Sequence, residues 1–243
     1  MSESSDRIDA VAVTLARIAL AHPPVVFASS FGAEDMVLLD LIATHAPSIG
    51  VFTLDTGRLP EETHTLIARA RDRYVLPINV YLPDTARLEA FVNSHGPNTF
   101  FDGIEQRRAC CALRKSEPLR RALVGKGAWV TGLRREQSST RADLAIEEFD
   151  SVHGLPKFNP LAQWGEDDVW SYLRAHRVPW NALHDRGYRS IGCAPCTRAV
   201  EPGEDVRAGR WWWENPEQKE CGLHRRPVSL ARAHAAAPEA TTV

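Results

Sequence analysis

Short apolar runs alternate with longer amphipathic stretches over the first 150 residues, and this alternation is what most constrains the fold. The runs are rich in valine, isoleucine and phenylalanine, and each is followed by a polar turn, as is typical of buried strands. They occupy residues 25–28, 49–54, 78–82 and 128–133, and residues 146–149 form a weaker fifth candidate. Strands that alternate with helices predict an α/β fold with a mainly parallel sheet and helices on both faces.

The stretches between these runs have the apolar spacing of helices. They cover residues 5–21, about 34–45, 60–74, 85–94, 103–124 and 166–176. After the last of them, residues 180–221 show little periodicity and contain many glycine, proline, arginine and tryptophan residues. We therefore expect an irregular C-terminal region that lies over the ligand-binding end of the sheet.

Polar turns follow three of the predicted strands, at residues 29–35, 55–58 and 132–141. Parallel sheets of this class bind ligands at the carboxyl ends of their strands, so these turns predict the binding edge. Ser29, Ser30 and Gly32 stand between a strand and a helix start, where backbone amides can hold a phosphate. Taken alone, these residues and Asp55 would also suit ordinary turns.

Basic residues are concentrated between residues 107 and 141, although the net charge of the chain is −2. Such a cluster suits a small anion, because arginine makes forked contacts with phosphate or sulfate oxygens. A solvated basic face is the alternative interpretation. Arg141 belongs to this cluster, and Arg207 and Arg210 precede a run of three tryptophans at residues 211–213 that suits a ligand or a partner.

Composition narrows the class of protein. A slightly acidic chain does not suit a general nucleic-acid or membrane-surface binder. The sequence has no apolar run of the roughly 18–20 residues that a membrane span needs, and its acidic N-terminus does not resemble a signal peptide. We expect a cytoplasmic protein with one domain over residues 1–230 and a disordered, alanine-rich tail over residues 231–243.

All five cysteines lie in the last 134 residues of the chain, as an adjacent pair, a Cys-x-x-Cys pair and one single residue. In the cytoplasm such cysteines more often bind metal or perform chemistry than form disulfides. Each pair alone would also suit buried thiols, zinc or a redox dithiol. Four thiolates together favour a 4Fe–4S cluster over zinc, since neighbouring cysteines reach different corners of a cluster more easily than one small ion.

The single cysteine, Cys221, stands beside Lys219, His224 and two arginines. Positive charge lowers the pKa of a thiol and makes its thiolate available as a nucleophile. An incidental surface thiol is the alternative. The sequence thus suggests four cysteines for a metal centre and a fifth for reaction.

Eight stretches together resemble the bacterial and plant-type adenylyl-sulfate reductases, relatives of the phosphoadenylyl-sulfate (PAPS) reductases. They are residues 29–37, 54–58, 110–119, 131–141, 157–161, 191–198, 209–214 and 219–224. The cysteine pattern with its final Glu-Cys-Gly-Leu-His is the most specific of them. The PAPS-specific branch typically keeps only the final cysteine, so the resemblance favours adenosine 5′-phosphosulfate (APS) as the substrate.

The resemblance implies an adenine-nucleotide alpha-hydrolase-like (PP-loop-like) sheet and a role for each matching residue. Cys221 would be the nucleophile, with Lys115 between cluster and substrate. Ser29, Ser30, Gly32 and Asp55 would belong to the nucleotide site, and Arg141, Arg207 and Arg210 would bind the phosphosulfate. The cluster ligands would be Cys110, Cys111, Cys193 and Cys196.

The implied reaction converts APS to sulfite and AMP through an S-sulfocysteine, with thioredoxin or a similar dithiol as donor, in sulfate assimilation and cysteine biosynthesis. The family also suggests a homo-oligomer. Three alternatives stay open at this point: reduction of PAPS, ATP-dependent adenylation on the same sheet, and a non-catalytic nucleotide-binding iron–sulfur sensor.

Overall fold

Six strands form one sheet in the computed structural model, which describes residues 3–138 and 141–215. The strands are β1 (Val25–Ala28), β2 (Gly50–Leu54), β3 (Ile78–Tyr81), β4 (Ala128–Val130), β5 (Glu147–Asp150) and β6 (Leu155–Phe158). Their order is β3-β2-β1-β4-β6-β5, and every neighbouring pair is parallel except β5 with β6. The mainly parallel sheet is therefore confirmed, with an antiparallel edge strand added.

Seven α-helices are interspersed with the strands along the described chain. They are α1 (Glu3–Ala21), α2 (Ala33–His45), α3 (Glu61–Arg73), α4 (Thr85–His95), α5 (Ile104–Cys111), α6 (Glu117–Leu123) and α7 (Glu166–Ala175). The helix predicted over residues 103–124 is present as α5 and α6, joined by a π-helical turn, Ala112–Ser116. Strand β6 was not predicted.

Apolar side chains on the two faces of the sheet pack into separate cores, because successive strand residues point to opposite faces. Val25 and Phe27 of β1 belong to the larger core, which includes residues of α1, α2, α3 and α7. Val26, between them, belongs to a smaller core with Leu119 of α6 and Trp129 of β4. The prediction of helices on both faces is thus confirmed.

The chain after α7 contains little regular structure up to residue 215, as the sequence predicted. It forms 3-10 turns at His184–Arg186 and Ala194–Cys196 and one isolated bridge between Thr197 and Arg210. Within the two described ranges, none of the helices combines the length and the apolar character that crossing a bilayer requires. The predicted tail over residues 231–243 lies outside the described residues.

Candidate active site

A pocket of about 500 Å³ opens at the carboxyl ends of β1, β2 and β4. Its walls include Ser29 after β1, Thr56 after β2, and Thr131 after β4. The irregular region closes another side, where the lining includes residues 188–192, Val206, Arg207, Arg210 and Trp211. All three polar turns contribute lining residues, so the pocket lies where parallel sheets bind their ligands.

Hydrogen bonds that involve its own serines hold the loop after β1. The Phe31 backbone N–H donates to Ser29 Oγ at 3.2 Å, and Ser30 donates through both its backbone N–H (2.5 Å) and its Oγ (2.7 Å) to Asp35 Oδ2. Phe31 has a positive φ of 59°, which a non-glycine residue rarely adopts, and its ring is buried. Ser29, Ser30 and Gly32 all line the pocket directly before the N-terminus of α2.

Asp35 is a buried carboxyl group that supports this loop from within α2. Burial raises its pKa from an ordinary value of 3.8 to about 6, although the hydrogen bonds from Ser30 act in the opposite direction. Gly132 lies against it, and a Cβ at that position would collide with Asp35 Oδ1. A residue larger than glycine at position 132 would therefore displace the Asp35 carboxyl group, which orders the loop after β1.

Replacing Asp35 with asparagine is expected to remove a pH-dependent contribution to stability. The folded protein binds the Asp35 proton more tightly than the unfolded chain, so this contribution is present below pH 3.8 and is lost as the pH rises towards 6. The free energy of unfolding of Asp35→Asn, relative to the parent, should thus rise across this interval by up to about 3 kcal/mol. Urea unfolding at several pH values measures it; a pH-independent difference would contradict the assignment.

Four of the predicted cationic residues line the same pocket: Lys115, Arg141, Arg207 and Arg210. Arg141 donates to Gln137 Oε1 at 2.6 Å, which places its guanidinium beside the third polar turn. Arg134 also lines the pocket, but its Nε donates to Glu34 at 2.8 Å. Arg134 consequently ties the third turn to α2.

Arg210 has the clearest signature of an anion-binding residue. Its side chain is buried, Nη1 donates to the Ile191 carbonyl at 3.0 Å, and Nε is a buried donor with no hydrogen-bond partner within the described protein. A Cβ on Gly192 would overlap the guanidinium, so glycine allows this close approach. Because an unsatisfied buried donor is costly, an acceptor such as a phosphate or sulfate oxygen that reached this guanidinium would be favoured.

A second, smaller cavity adjoins the pocket and is lined by all four paired cysteines. Cys110 and Cys111 end α5, and the 3-10 turn at Ala194–Cys196 brings Cys193 and Cys196 towards them. Lys115 and Trp211 line both cavities. Lys115 lies on the π-helical turn after α5, and such turns are frequent at functional sites.

The cysteine cavity has the chemistry that an iron–sulfur cluster requires. Four sulfurs are the usual ligand set of a 4Fe–4S cluster, and four basic residues lining the cavity could offset the charge of the thiolates. These residues are Arg58, Arg107, Arg114 and Lys115. Burial raises the pKa of Cys110, and that of Cys196 to about 11, so metal binding would have to displace their protons.

No group of three or more His, Cys, Asp or Glu side chains is arranged to hold a single metal ion in the described ranges. The cysteines form a buried apolar cluster with Phe100 and Trp211. Thr56 adds a polar contact, with its Oγ1 3.2 Å from Cys193 Sγ. The residues that surround the sulfurs therefore combine apolar shielding with a few polar contacts, as in buried cluster sites.

Asp55 lies in the turn after β2, where both of its carboxylate oxygens contact other residues of the protein. Its Oδ1 accepts from the Gly57 backbone N–H at 2.8 Å, and its Oδ2 lies 3.2 Å from His64 Nε2. It is not among the residues that line the pocket, whereas its neighbours Leu54 and Thr56 are. The carboxylate shapes the turn after β2, because aspartate commonly bonds to the backbone two residues ahead.

Cys221, the predicted nucleophile, lies outside the described residues.

Two buried residues were not singled out from the sequence as site residues. Arg114 donates from Nη1 to the Thr56 carbonyl at 2.6 Å, and this bond links the π-helical turn to the turn after β2. Arg114 lies four residues after Cys110, and that helical spacing could have identified it. Thr56 follows Asp55 in the same turn, but nothing in the sequence indicates its contact with Cys193.

A buried ion pair fixes the tryptophan segment to the helix that ends in the cysteines. Arg107 Nε donates to Glu214 Oε1 at 2.6 Å, and both side chains are at least 96% buried, with exposures of 1% and 4%. The Arg107 guanidinium also lies over the Trp211 ring, 4.6 Å from its centroid. This arrangement holds Trp211 between the two cavities.

Replacing Glu214 with glutamine is expected to destabilise the fold by about 3 kcal/mol, because it removes the carboxylate charge that balances the buried Arg107 guanidinium. Glu105→Gln is the matched control, since Glu105 forms an exposed pair with Arg108 and is 83% exposed. Chemical unfolding of both variants measures the difference. If Glu214→Gln and Glu105→Gln unfold at the same denaturant concentration, the buried pair does not stabilise the tryptophan segment.

The sequence matches the model of the phosphoadenosine phosphosulfate reductase domain over residues 24–199. It is 58% identical over 202 residues to the adenosine 5′-phosphosulfate reductase of Allochromatium vinosum, covering 83% of this chain and 79% of that protein. Identity to the protein of the same name from Burkholderia cepacia is 53% over 232 residues, covering 96% and 92%.

Solved structures are similar to this chain in fold. The phosphoadenylyl-sulfate reductase of Candida auris, in a phosphate complex, superposes with a TM-score of 0.65 at 28% identity, covering 82% of this chain and 99% of that one. Candida glabrata FMN adenylyltransferase in complex with ATP has a TM-score of 0.58 at 15% identity, covering 90% and 74%, and is similar in fold alone. The PP-loop-like fold is thereby confirmed, and the chain belongs to the phosphoadenosine phosphosulfate reductase family.

Proposed function

We propose that this protein reduces APS to sulfite and AMP. The observation that carries the proposal is the junction of two cavities: a pocket of nucleotide size, lined by the buried Arg210, adjoins a cavity lined by four cysteines. Relatives that match 83% and 96% of the chain carry the name adenosine 5′-phosphosulfate reductase, which supports APS as the substrate. The alternative of ATP-dependent adenylation gives no role to the cysteines.

The charged groups of the pocket suit the phosphosulfate of APS. Arg141, Arg207 and Arg210 would contact its oxygens, and Lys115 would stand at the side facing the cysteines. The backbone amides of the serine loop and the N-terminus of α2 would support the phosphate. Together they would stabilise the charge that develops as the anhydride bond breaks.

Cys110, Cys111, Cys193 and Cys196 would hold a 4Fe–4S cluster. When bound, such a cluster would supply fixed charge beside the pocket and organise the cysteine segments. Arg114 and Lys115 lie on the π-helical turn that follows Cys111. They would therefore keep fixed positions relative to the cluster ligands and to the substrate.

The chemistry would begin at Cys221. Its thiolate attacks the sulfur of APS, a sulfur–sulfur bond forms, and the bond from sulfur to the phosphate oxygen breaks with its electron pair on AMP. The enzyme then carries an S-sulfocysteine. A thiolate of thioredoxin, or of a similar dithiol, attacks the Cys221 sulfur and sulfite leaves with the electron pair. The second donor thiol resolves the mixed disulfide, which restores Cys221 and leaves the donor oxidised.

Sulfite formation by the anaerobically purified protein tests the proposal. With thioredoxin as donor, kcat/KM for APS should exceed that for PAPS, because the four-cysteine pattern is typical of the APS branch. A preference for PAPS would make the protein a PAPS reductase. Iron and nucleotide binding without sulfite from either substrate would favour the sensor and contradict the proposal. The proposal also includes a cytoplasmic location and a homo-oligomeric state. Sedimentation measures the oligomeric state.

A further inference from the structure

Two aromatic side chains are exposed on the outside of the cysteine cavity. Phe101 is 46% exposed and Trp212 is 41% exposed, and their rings meet edge to face with centroids 6.4 Å apart. Trp213 packs against both, at 4.5 Å from Phe101 and 4.7 Å from Trp212. We call these three residues the aromatic patch. Contiguous exposed aromatic surface commonly marks a site of protein interaction.

The patch is built on the wall of the cysteine cavity. Phe100 lines that cavity, and its ring lies 4.5 Å from Phe101 and 6.3 Å from Trp213. Trp211, adjacent to Trp212, lines the cavity as well and is fixed by Arg107. The rings are thus held on a rigid support, so a partner would meet a surface that is already ordered.

The length of the chain places the reactive cysteine within reach of the patch. Trp212 is three residues before Asn215, the last described residue, and Cys221 follows six residues later. Six residues span at most about 20 Å when fully extended. Any protein that attacks the Cys221 sulfur must therefore bring its own thiol within about that distance of Asn215.

We propose that the aromatic patch is the docking surface for the dithiol protein that reduces the S-sulfocysteine, an inference that rests on the proposed function. A protein donor needs contact area beyond its reactive thiol, and tryptophan is prominent among the residues that dominate binding energy at interfaces. The docked donor performs the two thiol steps given above, in which sulfite leaves and the donor becomes a disulfide. A small dithiol has no such surface and does not need the patch.

The double variant Phe101→Ser/Trp212→Ser tests this assignment. We expect its KM for a bacterial thioredoxin to rise at least about tenfold, a loss of the size seen at interface hot spots. Three other quantities should match the parent: iron content, S-sulfocysteine formed in a single turnover with APS, and the rate at which dithiothreitol releases sulfite from that intermediate. Phe149→Ser is the matched control, since Phe149 is 68% exposed on β5, the strand at one edge of the sheet.

Each failure has its own signature. If the parent forms S-sulfocysteine and the double variant keeps the parent's KM for thioredoxin, the docking assignment is wrong and the proposed function stands. If the parent forms no S-sulfocysteine, the proposed function itself fails. If the double variant loses iron, the single variant Trp212→Ser replaces it in the test. The single variant should also raise the KM for thioredoxin. A change in sedimentation without a change in that KM would show that a second copy covers the patch, and would overturn the proposal.

Discussion

Replacing Cys221 with serine is expected to lower sulfite formation below about one thousandth of the parent rate. A serine hydroxyl is a far weaker nucleophile than a thiolate, so the first bond to sulfur should not form. Iron content and APS affinity should stay near those of the parent, because the pocket and the four-cysteine cavity are built from residues 28–211. Steady-state sulfite assays, iron analysis and nucleotide binding measure the three quantities.

Mass spectrometry after a single turnover separates the nucleophile from a thiol that acts later. The parent incubated with APS and no dithiol should carry a sulfo group on Cys221, and the serine variant should carry none. A Cys221→Ser protein that still forms sulfite with thioredoxin would remove this residue from the nucleophile role. In that case the short distance along the chain from Trp212 to Cys221 would no longer favour docking of the donor at the aromatic patch.

The sequence predicts the fold where local pattern and tertiary environment agree. Strand β1 was predicted with its observed ends, because its apolar run lies buried between the two cores. Strand β6 was missed, since Pro156 and Lys157 lower its strand signal and its pairing with β4 is a long-range contact. Strand β4 ends at Val130, before the predicted end, and Thr131 and Gly132 after it line the pocket.

The site was predictable in its residue types but not in its contacts. The cysteine pairs, Lys115 and the three arginines were selected by spacing and resemblance, and they line two adjoining cavities. The Asp55 carboxylate bonds to the Gly57 backbone of its own turn and lies beside His64 of α3, contacts that the sequence did not indicate. The Arg107–Glu214 pair joins residues 107 positions apart, and no local pattern indicates such a contact.

Replacing Cys193 with serine is expected to remove most of the iron from the purified protein, together with its visible absorption. Cys193 is buried, contacts Thr56 Oγ1, and shares its cavity with Cys110, Cys111 and Cys196. Serine preserves the size of the side chain but replaces the soft thiolate that iron–sulfur clusters require. Iron per chain, measured after anaerobic purification, should fall from about four to below one.

Loss of iron must be distinguished from a general disturbance of the turn that carries Cys193. Thr197→Val provides this control, because Thr197 Oγ1 donates to the Cys193 carbonyl at 2.9 Å but supplies no sulfur. That variant should retain iron even if its unfolding midpoint falls. Cys110→Ser, on α5 at the other side of the cavity, should lose iron as Cys193→Ser does. Full iron content in either serine variant would show that the four cysteines do not act as one ligand set, and the cavity they line would then need another explanation.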